Sequence, residues 1–566
     1  MTAALAARGT ALTLTRRDGQ VALHYGGLMA YDATGRELPT WLELRGEELL
    51  LRVNDVAARY PLTVDPFVQL AELTASDGAA GDQLGFSVAI SGDTVVVGAP
   101  SAKIGNNVWQ GAAYVFVKPE TGAWAPAAET ARLTASDGAG SDRFGWSVAI
   151  SGDTVVVAGL PRGETYVFVK PGTGWASTTE TARLTGAASD HFGDSVAISG
   201  DTVVVGALGN SVSQGAAYVF VKPGTGWATT STFNAELTAS DGAASAVFGE
   251  SVAISGDTVV VGDSRAMIGN NIQGAAYVFV KPGTEWATTS TFNAKLTASD
   301  GAVGAYFGES VAISGDTVVV GAYAAWVGNN PLQGTAYVFV KPETGAWAPT
   351  TETAKLTASD GAARDFFGMS VAISGDTVVV GAPTGGNNNA QGAAYVFVKP
   401  GTGAWAATME TARLTASDGA ANDAFGESVA ISGDIVVVGA NYFSSGYPPV
   451  PAHGTAYVFG FNQIAPTVSF TGAPASAAYG ATFNVTATTN ASTTAVITAS
   501  GACSITGDTV TMTSSAGTCS LTASWAADAH YTAASLSQST TATKTAPTVS
   551  FTGAPASAAY GATFNV

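Results

Sequence analysis

From residue 84 to residue 461 two kinds of apolar run alternate along the chain. One is a continuous β-branched block such as Thr317-Val-Val-Val320, entered through Ser-Gly-Asp. The other is Ala-Tyr-Val-Phe-Val, as at 336–340, left through Lys-Pro. A β-branched run without polar alternation marks a strand covered on both faces. The unit from Phe307 to Gly361 therefore predicts four strands: 308–313, 317–320, 334–340 and 354–358. Ser314-Gly-Asp316 joins the first two, with Gly at the position where a tight hairpin needs positive φ. A variable loop, 322–333, joins the second to the third. A polar turn, 341–345, and Trp347 lead to the fourth, and Ser359-Asp-Gly361 leads out to the next Phe-Gly at 367–368.

The Ser-Gly-Asp turn recurs with Asp at 93, 153, 201, 257, 316, 376 and 434, at intervals of 60, 48, 56, 59, 60 and 58 residues. A period this long is one supersecondary unit repeated. Four antiparallel strands per unit and seven units predict an all-β fold, a seven-bladed β-propeller. A β-solenoid is the rival; its rungs are shorter and it needs dissimilar caps. The last unit stops at 457–461 without its fourth strand, while a spare copy, Ala71-Glu-Leu-Thr-Ala-Ser-Asp-Gly78, precedes the first unit. The expectation is that residues 67–78 complete the last blade and leave no free edge.

Composition narrows the function classes. The net charge of −19 argues against nucleic acid as a partner. No apolar run is long enough to span a bilayer. The two cysteines, Cys503 and Cys519, read as a disulfide more than a metal site, because no His or further Cys is spaced to complete four ligands. A disulfide implies an oxidising compartment, so the expected location is secreted or on a bacterial cell surface. Residues 1–20 lack the apolar core of a signal peptide. Residues 465–485 recur at 546–566, where the chain stops mid-pattern. These ends predict a fragment of a longer protein, with any export signal upstream. Residues 1–66 read as the tail of a further β-domain.

Phe-Gly stands at 144, 192, 248, 307, 367 and 425, with Leu84-Gly85 in the first unit, and Gly-Ala-Pro at 98–100 and 381–383. Over residues 67–462 this resembles the FG-GAP repeat, the blade of integrin alpha-chain propellers. The resemblance implies adhesion or protein interaction outside the cell. Blades of that kind often carry a calcium loop between the first two strands. Here that place holds one carboxylate, too few oxygens for calcium, so no metal and no cofactor is expected. Residues 463–545 resemble bacterial immunoglobulin-like repeats, on Gly501-Ala-Cys503, Gly517-Thr-Cys-Ser-Leu-Thr-Ala523 and Ala527-Asp-Ala-His-Tyr531. That implies a flanking β-sandwich used as a stalk, with 546–566 a truncated second copy.

In a propeller the loops joining strands two to three and four to one open on one face. The first class carries aromatics interleaved with Asn: Asn106, Asn107 and Trp109; Tyr323, Trp326, Asn329 and Asn330; Tyr442, Phe443 and Tyr447. Rings that stack and amides that hydrogen-bond suit a protein or glycan ligand. The plainer alternative is that Gly and Asn serve turns and the rings pack on neighbouring loops. The second class carries acids, among them Asp77, Asp82, Asp300, Asp360 and Asp365. They form an acidic rim for cations or a basic partner, or turns whose Ser-Asp-Gly carboxylate bonds nearby backbone amides. The four histidines, His24, His191, His453 and His530, are scattered and match no catalytic motif. Trp124, Trp175, Trp227, Trp286, Trp347 and Trp405 recur in register, which predicts packing. The function expected is a non-enzymatic binding or adhesion module. The alternatives are a structural spacer in a large adhesin and a propeller enzyme acting on glycans.

Overall fold

The computed structural model describes the chain apart from residues 1, 6–10, 16–20, 27–29, 32–36, 46–47, 60–62, 65–66, 120–123, 161–162, 187–190, 209–213, 244–245, 344, 349–350, 386–390, 400–403, 407–409, 442–453, 462–465, 490–492, 527–532 and 566. Among the described residues every regular element is a strand. The chain forms two compact units, Met1–Gly460 and Phe461–Val566.

The first unit contains a seven-bladed β-propeller. In the first blade Ser87–Ser91, Thr94–Ala99, Ala112–Val117 and Ala131–Leu133 lie side by side, all antiparallel. Five further sheets repeat that order, up to Ser370–Ser374, Thr377–Ala382, Ala393–Val398 and Ala412–Leu414. In the seventh, Phe425–Ser432, Ile435–Ala440 and Thr455–Phe461 are joined by Phe67–Thr74 as the fourth strand. Ala127–Ala128 then pairs parallel with Leu73 and Thr74 outside it. The same cover recurs where Thr178, Thr230 and Thr289 bridge in parallel to Leu133, Leu184 and Leu237 of the preceding blade. In these four blades the outer edge is thus shielded by the next unit's loop.

The core lies between blades. Val96, Val115 and Leu133 of the first blade pack with Phe144, Val157, Phe168 and Trp175 of the second. Leu73 and Val437 of the last pack with Val97, Phe116 and Trp124 of the first. Trp124, Trp175, Trp286, Trp347 and Trp405 are buried, and Trp227 is half-buried against its cluster.

The inner turns form a belt. The backbone N–H of each Ser-Gly-Asp glycine donates to a serine hydroxyl of the preceding blade: Gly152 to Ser91, Gly200 to Ser151, Gly256 to Ser199, Gly315 to Ser255, Gly375 to Ser314 and Gly433 to Ser374, at 3.0–3.1 Å. Gly92 to Ser432, at 3.1 Å, joins the first blade to the last.

Strand limits differ from the sequence expectation in the fifth blade. The first strand is Val311–Ser314, because Gly308 sits at φ 101° in a turn. The fourth is only Ala354–Leu356. Residues 1–66 fall in the first unit, with a sheet of Thr2–Leu5, Ala11–Thr15 and Val21–Gly26.

The second unit has its own core of Phe470, Val485, Val510, Met512, Leu521 and Trp525. A four-stranded sheet orders Ser476–Ala478, Ala534–Thr543, Thr518–Trp525 and Val496–Gly501. A three-stranded one orders Thr482–Asn484, Thr509–Met512 and Cys503–Thr506. The Cys503–Cys519 disulfide ties the two sheets. Residues 546–565 form no strand.

Candidate functional site at the loop face of the propeller

Phe-Gly organises this face. The Phe ring is buried and meets the third strand of its own blade: Phe307 lies 5.4 Å from Tyr337 and edge-on, at 6.0 Å, to Phe339. Its backbone bridges to the glycine that opens the third strand of the preceding blade, as in Gly274 with Phe307. Anchoring both sides of the turn strains the residue before it. Gln83, Arg143, His191, Tyr306, Phe366 and Ala424 all sit at positive φ, 43–61°. Such strain in non-glycine residues is often held at functional sites.

The residue after Phe-Gly (Leu-Gly in the first blade) differs in every blade but three. In order these are Phe86, Trp146, Asp194, Glu250, Glu309, Met369 and Glu427, all half-buried at the same register. Phe86 and Trp146 touch, with ring centroids 4.5 Å apart. Opposite in character are the acids. The carboxyls of Glu250 and Glu309 hydrogen-bond one another, and the Ser264 hydroxyl donates to Glu250 at 2.5 Å. Burial pushes both pKa values up, and the Glu309 charge adds to the rise at Glu250. The pair therefore holds a proton into a pH range where free carboxylates have lost theirs. Burial, then the Glu309 charge, lifts Glu427 to about 7. Burial lifts Asp194 to about 6, against the lowering effect of His191.

The fourth blade supplies the pair's setting. Where five other blades carry Gly-Ala at the end of the second strand, and the second blade Ala158-Gly159, this one has Gly262-Asp263 and continues Ser264-Arg265. Asp263 is fully buried and accepts from the backbone N–H groups of Val247 and Arg265 at 3.0 and 3.1 Å. Beside the acids, Tyr306 stacks on Tyr323 at 5.4 Å, and Phe366 meets Tyr323 edge-on at 5.8 Å. Burial, then Glu309, pushes Tyr323 up to about 12. The neighbourhood is a mouth of acids beside an aromatic shelf.

Of the residues singled out in the sequence, Tyr323 belongs to this shelf. Trp109 and Trp326 are 53% and 64% exposed on their loops, and Asn106 and Asn329 are exposed beside them. The two tryptophans are not equivalent in the repeat: Trp109 aligns with Leu332, and Trp326 with Lys103. Asn107 and Asn330 are engaged within the scaffold. Each side-chain amide donates to a Gln three residues on, at 2.8 and 2.9 Å, and to the carbonyl of Gly138 or Gly361 at 3.2 Å. Tyr442, Phe443 and Tyr447 lie outside the described residues. Among the described residues no cluster of three or more His, Cys, Asp or Glu side chains is placed to hold a metal ion.

The acids of the loops divide into two roles. Asp82, Asp142, Asp365 and Asp423 accept from the backbone N–H three residues earlier and close their own turns. The Asp of Ser-Asp-Gly instead reaches a tyrosine hydroxyl on the third strand, as Asp300 does from Tyr337 at 2.8 Å. The expected backbone role holds for Asp300, which also bonds a backbone N–H, but the tyrosine partner was not foreseen. The sequence reading also passed over the residues flanking Phe-Gly, whose signal is variation at fixed register beside an unchanging pair.

The FG-GAP repeat family model matches residues 67–116, 128–168, 178–220, 232–279, 291–339, 350–397 and 408–459. No curated protein matches the chain at a significant level. Among solved structures, Hsv2 of Kluyvelomyces marxianus matches at 10% identity, covering 64% of this chain and 89% of its own, with a TM-score of 0.35. PorZ, a bacterial surface component of the type-IX secretion system of Porphyromonas gingivalis, matches at 10% identity over 95% of this chain and 74% of its own, with a TM-score of 0.40. A hypothetical selenium-binding protein of Sulfolobus tokodaii matches at 8% identity over 58% and 78%, with a TM-score of 0.35. Seven matched segments, one per blade and together more than half of the sequence, show that the chain belongs to the FG-GAP repeat family.

Proposed function

We propose that this chain is a non-catalytic binding or adhesion module of a secreted or surface-attached bacterial protein, with the propeller's loop face as its recognition surface. The immunoglobulin-like segment that follows, pinned by its disulfide, then serves as a stalk. The observation that carries the reading is the exposure of Trp109 and Trp326 on loops whose neighbouring amides, Asn107 and Asn330, are locked into the scaffold. Large rings held out on stapled loops lose little entropy on binding. A protein or a glycan fits that chemistry, since both offer flat apolar faces edged with hydrogen-bonding groups.

A glycan-cleaving reading is less well supported. Glu250 and Glu309 bond directly, whereas glycosidase carboxylates stand about 5 Å or more apart. The test is glycan and protein array binding by the whole chain. Trp109→Ala and Trp326→Ala should each weaken a hit by about tenfold or more, as for an interface anchor. Arrays without a hit, or hits indifferent to both changes, would favour the spacer reading.

A further inference from the structure

Five blades repeat one charged triad. The Ser-Asp-Gly carboxylate meets a tyrosine of the third strand and a Lys or Arg of the fourth. Asp77 pairs with Arg132, Asp137 with Arg183, Asp241 with Lys295, Asp300 with Lys355 and Asp360 with Arg413. The Tyr114, Tyr337 and Tyr395 hydroxyls donate to their aspartates at 2.8–2.9 Å. The cation also lies over the tyrosine ring in two cases, Lys295 at 5.1 Å from the Tyr277 centroid and Lys355 at 5.7 Å from that of Tyr337.

The closure blade keeps two members and lacks the third. Tyr457 donates to Asp418 at 3.1 Å. Its fourth strand is Phe67–Thr74, and where Ala131-Arg132-Leu133 carries the cation, Ala71-Glu72-Leu73 carries an acid. Among the described residues neither Glu72 nor Asp418 has a basic partner. A cavity of about 440 Å³ opens here, lined by Glu72, Asp418, Asp423 and Tyr457 with Ala75 and Ala440. Burial, then the charge of Asp418, raises the Glu72 pKa, as it does for an acid that lacks a counter-ion. Glu236 holds the same place in the third blade, whose preceding turn lies partly outside the described residues.

We propose that this notch binds a primary ammonium or guanidinium group, seated where five other blades place their own lysine or arginine. The cation would lie between Glu72 and Asp418, against the Tyr457 ring, with an alkyl stem along the alanines. Both charge pairing and ring contact strengthen in a partly desolvated site. A metal ion suits it less, because Asp423 is committed to the Ala420 N–H and, among the described residues, no three His, Cys, Asp or Glu side chains are placed to share one ion. The lining includes neither Trp109 nor Trp326, so the inference does not depend on the recognition surface proposed above.

Thermal unfolding of the whole chain tests it, with n-butylammonium or n-butylguanidinium titrated to about 50 mM at constant ionic strength. The expected result is a saturable rise in Tm. Glu72→Lys supplies an internal cation, so it should unfold at higher temperature than the parent and lose the ligand response. Should that variant fail to fold, Glu72→Gln and Asp418→Asn should each weaken the response about tenfold, as for removal of one charged partner. An arginine flanked by glycines in a capped peptide separates the sources. Tighter binding than butylguanidinium indicates a side chain of a protein partner, and equal binding a small free amine. An unchanged response in Glu72→Lys, no response at the highest concentration, or a calcium response in place of the amine's would overturn the proposal.

Discussion

Six of the seven seams between blades are built alike, and the seam between the second and third is not. In the six, a serine on the first strand donates its hydroxyl to the glycine carbonyl of the next blade's Phe-Gly or Leu-Gly: Ser87 to Gly145, Ser195 to Gly249, Ser251 to Gly308, Ser310 to Gly368, Ser370 to Gly426 and Ser428 to Gly85, at 2.8–2.9 Å. Each such seam has a glycine in the second strand whose missing Cβ would lie 2.0 Å from that carbonyl: Gly98, Gly206, Gly262, Gly321, Gly381 and Gly439. The second blade has Ala158 there. Its Ser147 makes a different bond, accepting from the Val196 N–H at 3.1 Å. One methyl group changes which hydrogen bond the seam can make. The spacing between blades is therefore set by backbone-to-backbone contact at a glycine, and the Val-Val-Val core follows from it.

The closure seam joins segments more than 300 residues apart, as Ser428 and Gly85 show. Deleting residues 67–74 removes a whole strand of the seventh blade, with the buried side chains of Phe67, Val68, Ala71 and Leu73. At about 2 kcal/mol per large buried side chain, the loss exceeds 5 kcal/mol before the exposed edge is counted. The variant should fail to fold or melt far below the parent, read by circular dichroism and hydrodynamic radius. A deletion variant that melts with the parent would show that the ring does not need this strand.

The seven blades were legible because each repeats Phe-Gly (Leu-Gly in the first), Ser-Gly-Asp and Tyr-Val-Phe at a nearly fixed interval, and packing or turn geometry enforces each. The mouth was not legible for the same reason. Glu250 and Glu309 lie one repeat apart and come together only when the ring forms, and a search for what recurs passes over positions that vary. Asn107 and Asn330 stood out as amides among aromatics, but each has a Gln three residues on and a glycine carbonyl in the next loop to hold. Spacing alone does not distinguish an amide offered to a ligand from one stapling its own scaffold.

A second change sharpens the seam comparison directly. Gly321→Ala puts a Cβ 2.0 Å from the Gly368 carbonyl oxygen and 2.3 Å from the Ser310 hydroxyl. Backbone cannot yield as a flexible side chain can, so the cost should be about 2–4 kcal/mol and several degrees in Tm. The second blade shows the way out: release the serine. Adding Ser310→Ala to Gly321→Ala should therefore recover part of the loss, a coupling that a double-mutant cycle measures. Strict additivity of the two changes would mean that the serine contact plays no part in accommodating the methyl.

The smallest effect concerns the mouth, where side chains differ from blade to blade while the belt of inner turns stays constant. Glu427 titrates near 7 in the folded chain against an ordinary value of 4.5, so folding favours its protonated form. Its stability contribution is complete below about pH 4.5 and is lost as pH rises through about 7. Allowing for partial solvent access, that is on the order of 1–2 kcal/mol. Glu427→Gln keeps the shape of the neutral acid and cannot ionise. Its melting temperature should match the parent's near pH 4.5 and exceed it by a few degrees near pH 8. Glu250 and Glu309 remain to give the variant a shallower slope of the same sign. Parallel pH profiles for parent and variant would show that Glu427 is hydrated in the folded ring, and the contrast between a constant, exposed belt and a variable, half-buried mouth would lose its energetic content.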